Sequence, residues 1–141
     1  MSESKVSIVE RLPTPEEYNR LRHLVGWGTY REDIITKALP SSIYCVCAYL
    51  GAELVGMARL VGDAGMVYYV QDVIVDPHCQ RQGIGTQLMD RVMAYVKAHA
   101  SHNTIVGLMS ARGKEPFYQK YGFVDRPNDR LGAGMTIFWE G

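Results

Sequence analysis

A mixed α/β fold is what this sequence predicts: a mostly antiparallel, twisted sheet of about six or seven strands with helices on both faces. Three observations carry that expectation. Short apolar runs separated by glycine-containing turns recur between Ile43 and Val75, as in strands joined by hairpins. A glycine-rich bend, Gln80-Arg81-Gln82-Gly83-Ile84-Gly85-Thr86, leads from the apolar run Val73-Ile74-Val75 into a long amphipathic helix. A further apolar run, Thr104 to Met109, then completes a β-α-β unit, whose two strands should be parallel and whose crossover should be right-handed.

The elements follow in order. Residues 5 to 10 place Val6 and Ile8 on one face of a short first strand. Pro13-Thr14-Pro15-Glu16-Glu17 reads as a helix start with acids in its first turn, and Tyr18, Leu21, Leu24 and Val25 share one face before Gly26-Trp27-Gly28 ends the helix. A second short helix is expected from Arg31 to Leu39, closed by Pro40. Ile43 to Leu50 is almost continuously apolar, which suits a strand buried on both faces. Gly51-Ala52 turns the chain into Leu54 to Val61, and Asp63-Ala64-Gly65 turns it again into Met66 to Val75. After the bend, Ile84, Leu88, Val92 and Val96 repeat every four residues, the stripe of a helix that covers a sheet. Glu115 to Tyr121 reads as a short helix stopped by Gly122, and Phe123-Val124 with Met135 to Trp139 as a final hairpin around a polar loop.

A chain of 141 residues fits one domain, residues 1–141, able to bury a core without metal or disulfide support. Lys plus Arg number 15 and Asp plus Glu number 15, so no bulk attraction to nucleic acid or anionic membrane is implied. Cys45, Cys47 and Cys79 read as reduced thiols, and with His23, His78, His99 and His102 scattered they make no zinc pattern, so no metal is expected. A polar N-terminus and the lack of a long apolar run make the cytoplasm the default location.

The bend carries the chemistry. A strand that passes through glycines into a helix start presents unpaired backbone N–H groups beside the positive end of the helix dipole. Gly83 and Gly85 let the backbone approach a ligand closely, and a diphosphate suits the resulting anion site. The spacing is neither Gly-x-Gly-x-x-Gly nor the Gly-Lys-Ser/Thr phosphate loop, so both of those nucleotide sites are disfavoured.

Gln80 to Gly85 resembles the Arg/Gln-x-x-Gly-x-Gly/Ala signature of the GNAT superfamily of acetyl-CoA-dependent N-acetyltransferases, and Phe117-Tyr118-Gln119-Lys120-Tyr121-Gly122-Phe123 resembles that family's C-terminal aromatic segment. The likeness covers residues 40 to 141 well and the first forty weakly. It implies acetyl-CoA as cosubstrate, held through its diphosphate by Gln80, Arg81, Gln82, Gly83, Ile84, Gly85 and Thr86. The pantetheine arm would lie along Val73, Ile74 and Val75, on a strand that carries a bulge and splays from the next one. Tyr118 is implied as general acid to the departing thiolate, with Phe117 beside it on the coenzyme.

Asp72, just before the splayed segment, is the candidate base for the amine, with pairing to Arg59 as its structural alternative. His78 is a second candidate base, although its place after Pro77 favours a turn or loop role, and Cys79 has no His-Cys-acid constellation around it. Trp27 and Tyr30 occupy the region where the family builds its acceptor site, either as pocket walls or, for Trp27, as a core plug. Their Gly-Trp setting is also similar to small GNAT proteins related to plant-type serotonin N-acetyltransferases. The activity implied is N-acetylation of a primary amine by direct attack in a ternary complex. A protein Lys or N-terminal amine as acceptor, and a non-catalytic acyl-CoA-binding module, are the alternatives. A homodimer is compatible with the resemblance.

Overall fold

The computed structural model describes residues 5–141. In chain order the elements are β1 (Val6–Glu10), α1 (Pro15–Leu24), α2 (Glu32–Ala38), β2 (Tyr44–Leu50), β3 (Glu53–Gly62), β4 (Val67–Val75), α3 (Ile84–His99), β5 (Ile105–Gly107) and α4 (Glu115–Gln119). The described chain falls into two compact units, one running to Val106 and the other Gly107–Gly141. Among the described residues no helix is long and apolar enough to cross a membrane.

In the first unit the strands lie in sequence order, and β1 to β4 are successive antiparallel neighbours. The β3–β4 turn is set by Asp63, whose carboxylate accepts the amides of Gly65, Met66 and Val67, while Ala64 takes φ 65°. Those three bonds hold the Asp63 carboxyl below the usual carboxylate range. β5 meets β4 at that same end, where the Ile105 amide donates to the Met66 carbonyl at 2.8 Å. A strand of three residues reaches about 10 Å, so β5 cannot accompany β4 as far as Val73.

Helices cover both faces of the sheet. α1 begins at a capping box, with Thr14 and Glu17 each bonding the other's backbone amide. Tyr18 and Leu21 of α1, with Ile35 of α2, pack against Cys45, Cys47, Tyr49, Met57 and Ile74. β2 alternates between the two sides: Cys45 and Cys47 face this cluster, and Tyr44 on the other side stacks on Tyr95 of α3 with ring centroids 4.9 Å apart. That double burial explains the unbroken apolar run of β2. All three cysteines are buried and free.

The second unit contains α4, whose Phe117 and Tyr118 rings meet edge to face with centroids 5.0 Å apart, and Gly122 follows in the left-handed region at φ 96°. The expected final hairpin is absent among the described residues, so the sheet has five strands rather than six or seven. A strand exists only where an edge accepts its ladder bonds. Phe123-Val124 and Met135 to Trp139 find none, and Met135, Ile137, Phe138 and Trp139 stand 81–88% exposed.

Gly56 of β3 fixes the seating of α3. A Cβ there would lie 3.1 Å from Cδ1 of Leu88 and 3.2 Å from both Cγ2 of Ile84 and the Ile74 carbonyl, so the missing side chain is what lets the first turns of α3 approach the sheet. Gly56→Val is expected to lower the free energy of unfolding by about 1–3 kcal/mol through overpacking, seen as a lower urea midpoint at constant m-value. An unchanged midpoint would show that α3 is not held by this contact.

Candidate active site

Two segments flank the C-terminal end of β4, and each has an unusual backbone. The first is a bulge. Met57 pairs with Ile74 but Arg59 pairs with Gln71, so Asp72 and Val73 together face Ala58. Asp72 takes φ 56°, a left-handed conformation that costs a non-glycine residue free energy and persists only where its surroundings enforce it.

The enforcement comes from the Asp72 side chain, which is wholly buried. Its Oδ2 accepts the Tyr18 hydroxyl and Nε of Arg59, each at 2.7 Å, and its Oδ1 accepts Nη1 of Arg22 at 3.0 Å. The Gln71 amide adds a longer bond of 3.4 Å. Tyr18 and Arg22 are four residues apart on α1, so one helix face aims both at the carboxylate. Burial, and then the neighbouring negative charge, push the Tyr18 phenol up, so it remains a donor. Burial, the largest single effect, lowers Arg59, but the bond to Asp72, the charge of that carboxylate and the nearby Tyr18 together hold it above its ordinary value. Two guanidinium groups, 11% and 13% exposed, thus face one carboxylate. The Arg59 pairing named as the alternative for Asp72 is present. A carboxylate whose oxygens accept three close bonds ties the bulge to α1 and β3.

The second segment is the bend. The Asp76 amide donates to the Val55 carbonyl, and its side chain accepts the His78 amide at 2.9 Å, starting a single 3-10 turn over Pro77–Cys79. His78 is therefore a turn residue with its ring in solvent, and burial pushes the Cys79 thiol up, away from nucleophile character. The Gln80 side chain ties the bend to β4 by donating to the Val75 carbonyl at 3.1 Å. Arg81 and then Gly83 enter the left-handed region at φ 68° and 80°. Gly83 caps α3 without a side-chain bond, and the helix ladder begins with the Gln87 amide on the Gly83 carbonyl. Among the described residues the amides of Gly83, Ile84 and Gly85 show no protein acceptor, and a Cβ on Gly83 would meet nothing within 4 Å. Open space in front of unpaired amides at the start of a 16-residue helix fits an anionic phosphoryl group.

The loop after α1 lies against the bulge. Asn19 grips the Tyr30 backbone through two bonds, and Nε of Arg22 donates to the Gly28 carbonyl at 2.6 Å. The Arg22 guanidinium also lies over the rings of Trp27 and Tyr30, 5.3 and 4.8 Å from their centroids. Trp27 packs partly into the core, and Tyr30 is 48% exposed. The structure thus brings Asp72, Val73, Ile74, Val75 and the bend into one stretch, with Trp27 and Tyr30 joined to it through Arg22. Tyr118 and Phe117 belong to the second unit. Burial pushes the Tyr118 phenol up, and no protein group among the described residues bonds its hydroxyl. Sequence reasoning missed Tyr18, Asn19 and Arg22 as site residues; the spacing of Tyr18 and Arg22 on one helix face was the available signal.

A family model described as an acetyltransferase (GNAT) domain matches residues 17–138. A meticillin-resistant Staphylococcus aureus protein described as a probable acetyltransferase superposes with a TM-score of 0.88 at 30% identity, covering 96% of this chain and 100% of the other. The chain is 28% identical over 86 residues to GCN5-related N-acetyltransferase 3, chloroplastic, from Arabidopsis thaliana, spanning 61% of this chain but 34% of that relative. It is 32% identical over 115 residues to serotonin N-acetyltransferase 2, chloroplastic, from Oryza sativa subsp. japonica, spanning 79% of this chain and 56% of that relative.

Replacing the anchor separates ion pairing from backbone strain. Asp72→Asn leaves two guanidinium groups without their counter-charge and is expected to cost about 3–5 kcal/mol of stability. Asp72→Gly removes the left-handed strain, worth about 1–3 kcal/mol, yet is still expected to be less stable than the parent in chemical denaturation. A glycine variant as stable as the parent would mean that the carboxylate holds nothing in place.

Proposed function

The chain belongs to the GNAT acetyltransferase family, an acyltransferase family that uses acetyl-CoA, and on that footing we propose that it transfers an acetyl group to a primary amine by direct attack in a ternary complex. The observation that carries this reading is the row of open amides at Gly83, Ile84 and Gly85, tied by Gln80 to the end of the bulged strand. Those amides, with Arg81, Gln82 and Thr86 around them, would hold the diphosphate. Val73, Ile74 and Val75, past the reach of β5, would offer backbone groups to the pantetheine arm. The thioester supplies the acyl group; the chain's part is to bind it, aim it and stabilise developing charge on its carbonyl oxygen.

In this reading Asp72 does not take the amine proton. It keeps the strand in the bulged geometry that frees backbone N–H groups for the carbonyl. Tyr118 serves as proton donor to the leaving thiolate, and its burial favours the protonated phenol that the role needs. Trp27 and Tyr30 border the acceptor, and a relative named as a serotonin N-acetyltransferase favours small aromatic amines as the first acceptors to try.

Gly83→Val forces a β-branched residue into the left-handed region and fills the space before the amides, so calorimetric titration should show acetyl-CoA binding abolished. Unchanged affinity would sink the assignment of the bend. Tyr118→Phe is expected to lower turnover by roughly 10² with little change in acetyl-CoA affinity. Because the folded phenol holds its proton more tightly than a free one, its loss as an acid should set in only above pH ~10. An alkaline limb that persists unchanged in Tyr118→Phe would contradict the role.

A further inference from the structure

We propose that Arg22 is a positioning residue that couples the loop Gly26–Tyr30 to the bulge at Asp72, so that filling the acyl site also orders the acceptor side. This deepens the acyltransferase reading above and rests on its assignment of the bulge and the loop.

The argument lies in what one side chain holds. Nη1 of Arg22 is bonded to the carboxylate that enforces the bulge, and Nε is bonded to the Gly28 carbonyl in the loop. The guanidinium carbon lies over the rings of Tyr18, Trp27 and Tyr30, 5.7, 5.3 and 4.8 Å from their centroids. A guanidinium can serve two acceptors in one plane and still stack on rings above and below it; an ammonium cannot. Asn19, by contrast, grips the Tyr30 backbone without touching Asp72. Of these two side-chain fastenings of the loop, the one through Arg22 also bonds the carboxylate of the bulge.

The geometry also defines how a signal would travel. A ligand that draws the backbone of Val73 toward itself loads the bulge directly behind it, where Asp72 sits in the left-handed region. Asp72 cannot shift without drawing on its bond to Arg22, and Arg22 cannot shift without releasing Gly28 and the rings it covers. Energetic linkage of this kind works in both directions.

The chain has two tryptophans, Trp27 and Trp139, so Trp139→Phe leaves Trp27 as the sole reporter. In that background, acrylamide quenching of Trp27 is measured with and without acetyl-CoA, and acetyl-CoA binding is measured separately by calorimetry. Acetyl-CoA is expected to lower the quenching constant by about twofold or more. Arg22→Lys keeps the charge beside Asp72 and should raise quenching in the free protein, abolish the response to acetyl-CoA and leave its affinity within about threefold. Asn19→Ala should loosen the loop but keep the response. A purely structural role for Arg22 would instead lower affinity and melting temperature together.

Binding by calorimetry without any change at Trp27 would overturn the coupling while leaving the acyltransferase reading standing. Absence of acetyl-CoA binding in the parent would remove that reading and the coupling with it. Should Arg22→Lys fail to fold, Tyr30→Leu at the exposed end of the stack tests the same link, and an undiminished response there would overturn it.

Discussion

The Asp72 carboxylate is the constraint on which the working end of the sheet depends. It is fully buried, sits on a left-handed residue in the middle of a strand, and is bonded by a phenol and two guanidinium groups drawn from α1 and β3. Each part explains another. An extra residue in β4 would ordinarily relax into a regular ladder with its neighbour, because a left-handed aspartate is strained and a broken ladder leaves amides unpaired. Three close donors around one carboxylate offset that strain. They also decide which side of β4 the extra residue bulges toward, since Tyr18 and Arg22 come from the helix on that face.

Glycines do complementary work on the opposite face. Gly56 removes a side chain where α3 must lie against β3, and Gly83 lets the chain reverse into that helix while leaving its first amides open. The helix start is thereby fixed in two directions, inward by Ile84 and Leu88 over Gly56, and along β4 by the Gln80 bond to Val75. The proposed role of the bend in holding a phosphoryl group needs both, since amides that can swing away from a ligand gain little from the helix dipole behind them.

Much of this was legible in the chain itself, for identifiable reasons. The four-residue repeat from Ile84 to Val96, the double-sided apolar run of β2 and the turn at Asp63-Ala64-Gly65 are local patterns, and the elements formed where those patterns lay. The bend was legible because a glycine at a helix start leaves a mark in sequence. The role of Asp72 was not, because its partners Tyr18 and Arg22 stand 54 and 50 residues away and only the folded sheet brings them together. The same limit applied to the last segment. Met135 to Trp139 has the composition of a strand, but composition cannot supply the neighbouring edge that a strand requires.

The Asp72 cluster also constrains how this protein can change over evolutionary time. Replacing a buried ionic group wholesale by well-packed apolar residues can be neutral or favourable, whereas losing one member strands the charges of the rest at several kcal/mol. Against a total stability of about 5–15 kcal/mol, a lineage that drops Asp72, Arg22 or Arg59 singly crosses a deep valley before any second substitution can rescue it. The three charges are therefore tied to one another energetically, so that a concerted exchange is expected to be tolerated where the loss of one is not.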